Sequence, residues 1–360
     1  MAYYHPKYTH QKKKKSKVKK FVFLFITLLI VVAVAAGYYL YQVIYLPNTW
    51  TPDGKPAALN IPTGADYSTL KTILYKNGLI VHRKNFEWVA EKKHLNELIK
   101  PGHYLIKNAI PTLELVNMLR SGNQTPVKVT FNNVRNVYQL ADIVSRQIEA
   151  DSASIVRVIQ DSVFLKRLGL NKTTAATIFL PNTYEFWWNT NAEAFVSRMV
   201  QEYYKFWTAD KINKANEAGL TKTEVSILAS IVEKETTKND EKPMIAGVYI
   251  NRLKKGWRLQ ADPTLVFALN DYTIKRVLNK YKLIDSPYNT YKHLGLPPGP
   301  ICIPSIASIN AVLNYNKENY FYFCARDDFS GYHVFAKTNR QHAKNAKKYR
   351  EALNKMNIKH

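Results

Sequence analysis

Cysteine is the scarcest chemically active residue of this chain, with two among 360, Cys302 and Cys324. No Cys-x-x-Cys spacing occurs, which argues against a thioredoxin-like redox site and against a zinc ribbon. The two thiols could pair in an oxidising compartment, or both could stay buried and reduced. No metal-ligand motif is present, so neither a metal nor another cofactor is expected. Acids are also few. Asp and Glu number 27 against 52 Lys and Arg, a formal net charge of +25. That balance draws a protein to polyanions such as nucleic acid, anionic lipid or an acidic wall polymer, or it only keeps the chain soluble. Aromatics are plentiful, with 24 Tyr and 6 Trp. They suit sugar rings as well as ordinary cores. The length allows two or three domains, each with its own core.

Residues 21–41 read FVFLFITLLIVVAVAAGYYLY. This charge-free run is long enough to cross a bilayer as a helix. Eight lysines and no acid precede it within residues 1–20, and Tyr38, Tyr39, Tyr41 and Tyr45 mark its far end. The positive-inside rule and the aromatic belt give an uncleaved anchor over 21–45, a basic cytoplasmic tail over 1–20, and the remainder outside the cytoplasm. A cleaved signal peptide would have a shorter apolar core of roughly 7–15 residues. Nucleic acid is not expected as a partner in that topology; membrane lipid is, through residues 21–45.

Residues 46–56, LPNTWTPDGKP, read as a turn-rich linker. Residues 57–125 form a small α+β unit. A strand is expected over 57–61, helices over 66–77 and 83–92, a returning strand over 102–107, and a further helix over 112–121 ended by Gly122. The strand–helix–helix–strand order resembles a LysM-like glycan-binding module. The rest, 126–360, is expected to be a mixed α+β catalytic domain. Its parts are a strand over 127–131, a mainly helical stretch over 137–168, an aromatic loop over 178–188 (IFLPNTYEFWW) and a long helix over 192–218.

Thr221 and Glu224 form a capping box that opens the helix KTEVSILASIVEKET. At about 100° per residue, with Val225 at zero, the apolar arc centres near 300°, Glu235 falls at about 280° and Glu233 at about 80°. Glu233 is therefore expected to be solvated, on the side of Ser226 and Ser230. Glu235 is expected to face inward, where desolvation would keep it protonated near neutrality, as a general acid requires. A structural ion pair of Glu235 with Arg252 or Arg258 is the competing reading.

Three blocks follow in order: LASIVEKET (228–236), AGVYINRLKKGWRLQADPTLVFAL (246–269) and SPYNTYKHLGLPPGPICIPSIASINAVLN (286–314). Together with YFCARDDFSGYHVFAKTNRQH (322–342) and the upstream IKPGHYLIKNAIPTLELVNMLRSG (99–122), they resemble the YceG-like endolytic murein transglycosylases, the MltG family. The resemblance runs from about 59 to 349. It implies cleavage of β-1,4 bonds between N-acetylmuramic acid and N-acetylglucosamine in nascent peptidoglycan. It also implies 1,6-anhydro ends, termination of strand elongation, and work beside the wall-synthesis machinery. The catalytic glutamate it implies is the second acid of EKET, Glu235. The family's EGxLFPDTY loop departs here to ATIFLPNTYEF, with Asn182 in place of an aspartate.

One carboxyl suffices for such a reaction, because the sugar's own C6 hydroxyl attacks and no water needs activation. If RLQADPT is extended, Arg258, Gln260 and Asp262 share one face. Gln260, Asp262, Asn289 and Tyr291 are then candidates for sugar contact, with structural hydrogen bonds the alternative for each. The 296–300 segment, LPPGP, is expected to frame the groove. Two rival functions remain: a non-catalytic wall-binding scaffold, and a hydrolase that recruits a second carboxylate such as Asp262.

Overall fold

The computed structural model describes residues 1–3, 6, 17–274 and 277–355. Most of the lysine tail therefore lies outside the described residues. The chain divides into two compact units, Met1–Thr125 and Pro126–His360.

The first unit begins with helix α1 (Lys17–Tyr45), 29 residues long and apolar enough to cross a membrane. Its side chains are exposed from Lys17 to Tyr41, and Val43 alone in the helix is buried. Strand β1 (Ala57–Ile61), helices α2 (Tyr67–Lys76) and α3 (Arg83–Lys92), strand β2 (Gly102–Ile106) and helix α4 (Thr112–Ser121) follow. β1 and β2 pair antiparallel, Ala57 opposite Ile106 and Ile61 opposite Gly102. Leu59, Ile61, Tyr104 and Ile106 alternate inward and meet Leu70, Leu74, Phe86, Val89, Leu115 and Leu119. The strand–helix–helix–strand order read from the sequence is present.

Residues 46–56 are no free linker. Asn48, Thr49 and Thr51 are buried. Asn48 Nδ2 donates to the His82 carbonyl and to Thr112 Oγ1, and Thr49 Oγ1 donates to the Lys107 carbonyl. Short polar side chains that read as turn formers here satisfy distant backbone, a use that local composition does not reveal.

The second unit opens with β3 (Val127–Phe131), α5 (Val137–Ser145), α6 (Ser152–Ile159) and α7 (Ser162–Arg167). Each of these helices has its own cap: Asn136, Asp151 and Asp161 accept from the backbone N–H groups of Gln139, Ser154 and Phe164. The expected aromatic loop contains a strand, β4 (Asn182–Phe186), paired antiparallel with β3. Tyr184 and Phe186 turn inward while Thr183 and Glu185 stay exposed. The partner strand lies far back in sequence, so periodicity within the loop could not reveal the pairing.

The expected long helix is two, α8 (Ala192–Phe206) and α9 (Ala209–Ala218). Trp207 leaves helical geometry, and Thr208 caps the second helix by accepting from Lys211 N–H. Helix α10 (Lys222–Glu235) has the expected capping box, with Thr221 and Glu224 exchanging hydrogen bonds. Around it pack α9, α11 (Lys242–Lys254), α12 (Asp262–Leu269) and α13 (Ile306–Leu313). All eight residues from Val225 to Val232 are buried, Ser226 and Ser230 among them. α10 is thus a central helix buried on all sides from Val225 to Val232, and the two-sided wheel does not describe it. A hairpin, β5 (Tyr322–Ala325) and β6 (His333–Ala336), and helix α14 (Asn339–Lys355) complete the unit. Cys302 is buried, Cys324 partly so, and both are free thiols.

Candidate active site

Glu235 is the last residue of α10. The helix before it is locked by burial, and the chain leaves it at Thr236 in an extended conformation, itself 5% exposed. The carboxyl therefore stands at a fixed place at the negative end of the helix dipole, where a carboxylate is disfavoured. It lines a cleft of about 700 Å³ with Arg135, Gln139, Asp262, Phe267, Tyr272 and Ile301 among its neighbours. A second hollow of about 520 Å³, lined by Thr236, Thr237, Asn239, Ser305 and Lys242, shares Asn133, Lys234 and Glu235 with the first. Glu235 sits where the two meet.

Tyr249, buried on α11, donates its hydroxyl to Glu235 Oε1. Its ring rests edge-on against Phe323 of β5, with centroids 5.8 Å apart. One turn further along α11, the buried Arg252 donates Nε to the Phe321 carbonyl at 2.8 Å and Nη1 to the Leu259 carbonyl. Burial raises the Glu235 carboxyl to about 7; the Tyr249 hydrogen bond pulls it down, the Asp262 charge pushes it up and the Arg252 charge draws it down. Burial and the neighbouring carboxylate push the Tyr249 hydroxyl well above its ordinary range, so the tyrosine stays a donor. A carboxyl poised near neutrality can give a proton and take one back.

Neither Arg252 nor Arg258 forms the competing ion pair with Glu235. Arg252 acts on Glu235 through its field, and Arg258 Nε donates to the Lys292 carbonyl at 3.1 Å. Glu233 departs from expectation, since it is not solvated. It accepts from Ser305 Oγ at 2.5 Å, from Ser308 Oγ and from the buried Lys242 Nζ at 3.1 Å. Burial alone would raise it, but those two hydroxyls and the ammonium hold it below the usual carboxylate range. Ser305 and Ser308 come from a segment 72 and 75 residues away, which no helical wheel includes.

Asp262 reaches the cleft with Glu235, at the start of α12, and accepts from Tyr291 Oη at 2.5 Å. Tyr291 is thereby a support for Asp262, and its own hydroxyl is pushed up by burial and by that carboxylate. Gln260 does not share a face with Asp262. Its φ of +52° breaks the extended run, and its side chain is exposed outside the cleft. Asn289 is fully buried. Its Nδ2 donates to the Lys282 and Ile284 carbonyls, and its Oδ1 accepts from Tyr291 N–H. Asn289 organises the loop that carries Tyr291 and has no free polar atom for a sugar. Asn182 lies outside the cleft, its Oδ1 accepting from Thr183 N–H.

The 296–303 segment is held to α10 by Ser230, whose Oγ accepts from Ile301 N–H at 3.0 Å. A Cβ at Gly299 would come within 2.2 Å of the Thr173 carbonyl, so that close approach requires glycine. Ile301 is thus seated in the cleft wall. Tyr249, Arg135 and Tyr272 are not evident from the sequence, because their convergence on Glu235 depends on how distant segments pack.

The sequence model of the YceG-like family matches residues 59–348. The chain belongs to the YceG-like family. Curated relatives include an endolytic murein transglycosylase of Bacillus subtilis, 29% identical over 88% of this chain and 91% of that protein. An endolytic murein transglycosylase of Streptococcus pneumoniae is 28% identical over 86% of this chain and 62% of its own length. A crystal structure of a YceG-like protein of Listeria monocytogenes superposes with a TM-score of 0.53 at 28% identity, covering 81% of this chain and 98% of that one.

Proposed function

We propose that this chain is an endolytic peptidoglycan transglycosylase with Glu235 as its single acid and base. One observation carries the reading: a carboxyl with a pKa of about 7, at the junction of two hollows, held by a tyrosine hydroxyl. The names of its relatives support the substrate. A strand entering one hollow and leaving by the other would be cut internally. Protonated Glu235 gives its proton to the oxygen between N-acetylmuramic acid and N-acetylglucosamine as that bond breaks. The resulting carboxylate takes the proton of the muramyl C6 hydroxyl, whose oxygen bonds to C1 and closes the 1,6-anhydro ring. Asp262 lines the same cleft and supports the charge that develops at C1.

In this reading α1 anchors the chain in the cytoplasmic membrane with its N-terminus inside. The first unit, with its strand–helix–helix–strand order, serves as a LysM-like contact to glycan. The placement suits work beside wall-synthesis enzymes, where cleavage would end strand elongation. Digestion of glycan strands by the full chain, followed by mass analysis of the ends, tests the reaction. Anhydro ends are expected. Reducing ends would favour the hydrolase, for which the nearby Asp262 would supply the second carboxylate. Absence of products would leave a scaffold.

A further inference from the structure

Arg135 lines the larger cleft together with Glu235. Its backbone is pinned on both sides. Its own N–H donates to Gln139 Oε1 at 2.7 Å, and the carbonyl of the preceding Val134 accepts from Ile303 N–H at 2.9 Å. The guanidinium lies over the Tyr272 ring, 3.8 Å from its centroid. Among the described residues no acceptor takes its side-chain N–H groups. A planar fork is thus held in place at the cleft with its donors unused. Such a fork matches a carboxylate with two parallel hydrogen bonds, and the stack reduces the conformational freedom lost on binding. The cleft is mixed in character: Phe267, Ile274, Val277 and Ile301 line it together with Asn133, Gln139, Lys234, Glu235 and Asp262.

Sugar hydroxyls and acetamides are neutral. The carboxylates of peptidoglycan sit on the muramyl side chain, either on the peptide stem or, where the stem has been removed, on the lactyl group itself. We propose that Arg135 is a specificity residue that binds a carboxylate of the muramyl side chain, while apolar residues of the same cleft take methyl groups of that side chain. The inference rests on the peptidoglycan reading above.

The test measures binding by the full chain in detergent micelles on a Glu235→Gln background, so that turnover plays no part. Three ligands are compared: stem-bearing glycan strands, strands stripped of stems by an amidase, and a neutral chitooligosaccharide. Arg135→Ala is expected to weaken one of the two muramyl ligands about ten- to hundredfold, as for a lost charge-assisted pair. It should leave chitooligosaccharide binding unchanged. Arg135→Lys should recover only part of the loss, because the charge remains and the fork does not. Loss on stem-bearing strands identifies the stem carboxylate; loss on stripped strands identifies the lactyl group. Tyr272→Leu, which removes the stack, should give a smaller loss on the same ligand. Equal binding of all three ligands by Arg135→Ala would overturn the proposal. So would an equal loss on all three, because Arg135 would then only shape the cleft. A parent chain that binds neither muramyl ligand would overturn the peptidoglycan reading along with it, whereas intact binding with no Arg135 effect would sink this inference alone.

Discussion

Glu233 and Glu235 stand two positions apart on α10, and their surroundings hold them in opposite charge states. Two hydroxyls and an ammonium keep Glu233 ionised, whereas burial keeps Glu235 protonated up to about pH 7. Glu235→Gln should lower turnover on the order of a hundredfold or more while the chain still folds. In the parent chain kcat/KM should fall as pH rises through about 7, where the acid is lost. A raised carboxyl favours the folded state below its unfolded value near 4.5 and loses that contribution as pH rises to about 7. Glu235→Gln should therefore raise Tm relative to the parent at pH 8 and not at pH 4, which thermal melts would check. Tyr249→Phe removes a donor that favours the carboxylate. Its alkaline limb should move to higher pH and its turnover should drop, readable in a pH–rate profile; an unmoved limb would refute the positioning role.

Glu233→Gln has a different outcome. It leaves the 3%-exposed Lys242 without its anionic partner, so a stability loss of roughly 3 kcal/mol is expected by denaturant melts. Activity per folded molecule should remain near that of the parent. The Glu233 contribution is present above the unfolded carboxyl value and lost as pH falls. The difference between variant and parent should therefore shrink below about pH 4.

At the scale of elements, close packing of helices places the site. The loop after α13 approaches α11 so closely that a Cβ at Gly247 would lie 2.3 Å from the Asn316 carbonyl. Asn316 N–H in turn donates to the Pro243 carbonyl, at the start of α11. Gly247→Ala should force that loop off α11, which carries both Tyr249 and Arg252. An expected cost of about 1–3 kcal/mol, with reduced turnover, follows from overpacking and is checked by melts and kinetics. One capping signal is legible at this scale, the Thr221 hydroxyl with the Glu224 carboxylate, whereas the Thr208 cap is hidden inside a continuous helical pattern. β4 was not legible, because an aromatic-rich run becomes a strand only where a partner such as β3 lies beside it.

At the scale of the whole molecule, the apolar helix and the flanking lysines predict one crossing with the bulk of the chain outside the cytoplasm. A reporter active only outside the cytoplasm, fused after His360, should be active. A silent external reporter paired with an active cytoplasmic one would reverse the topology.

Local patterns are enough to read the membrane-length helix, the strand–helix–helix–strand order of the first unit and the capping box of α10, because each depends on neighbours within a few residues. The surroundings of Glu235 were decided by tertiary structure alone. Ser305 and Ser308 reach Glu233 from across the sequence, Tyr249 meets Glu235 from the adjoining helix, and Arg135 enters the cleft from the turn before α5. The helical wheel that turns Glu235 inward assumes one wet face, yet α10 is buried on every side from Val225 to Val232. Hydrophobic periodicity reports which face of a helix avoids water, and a helix with no wet face carries no such signal. The partners of a buried charge are then set by which helices surround it.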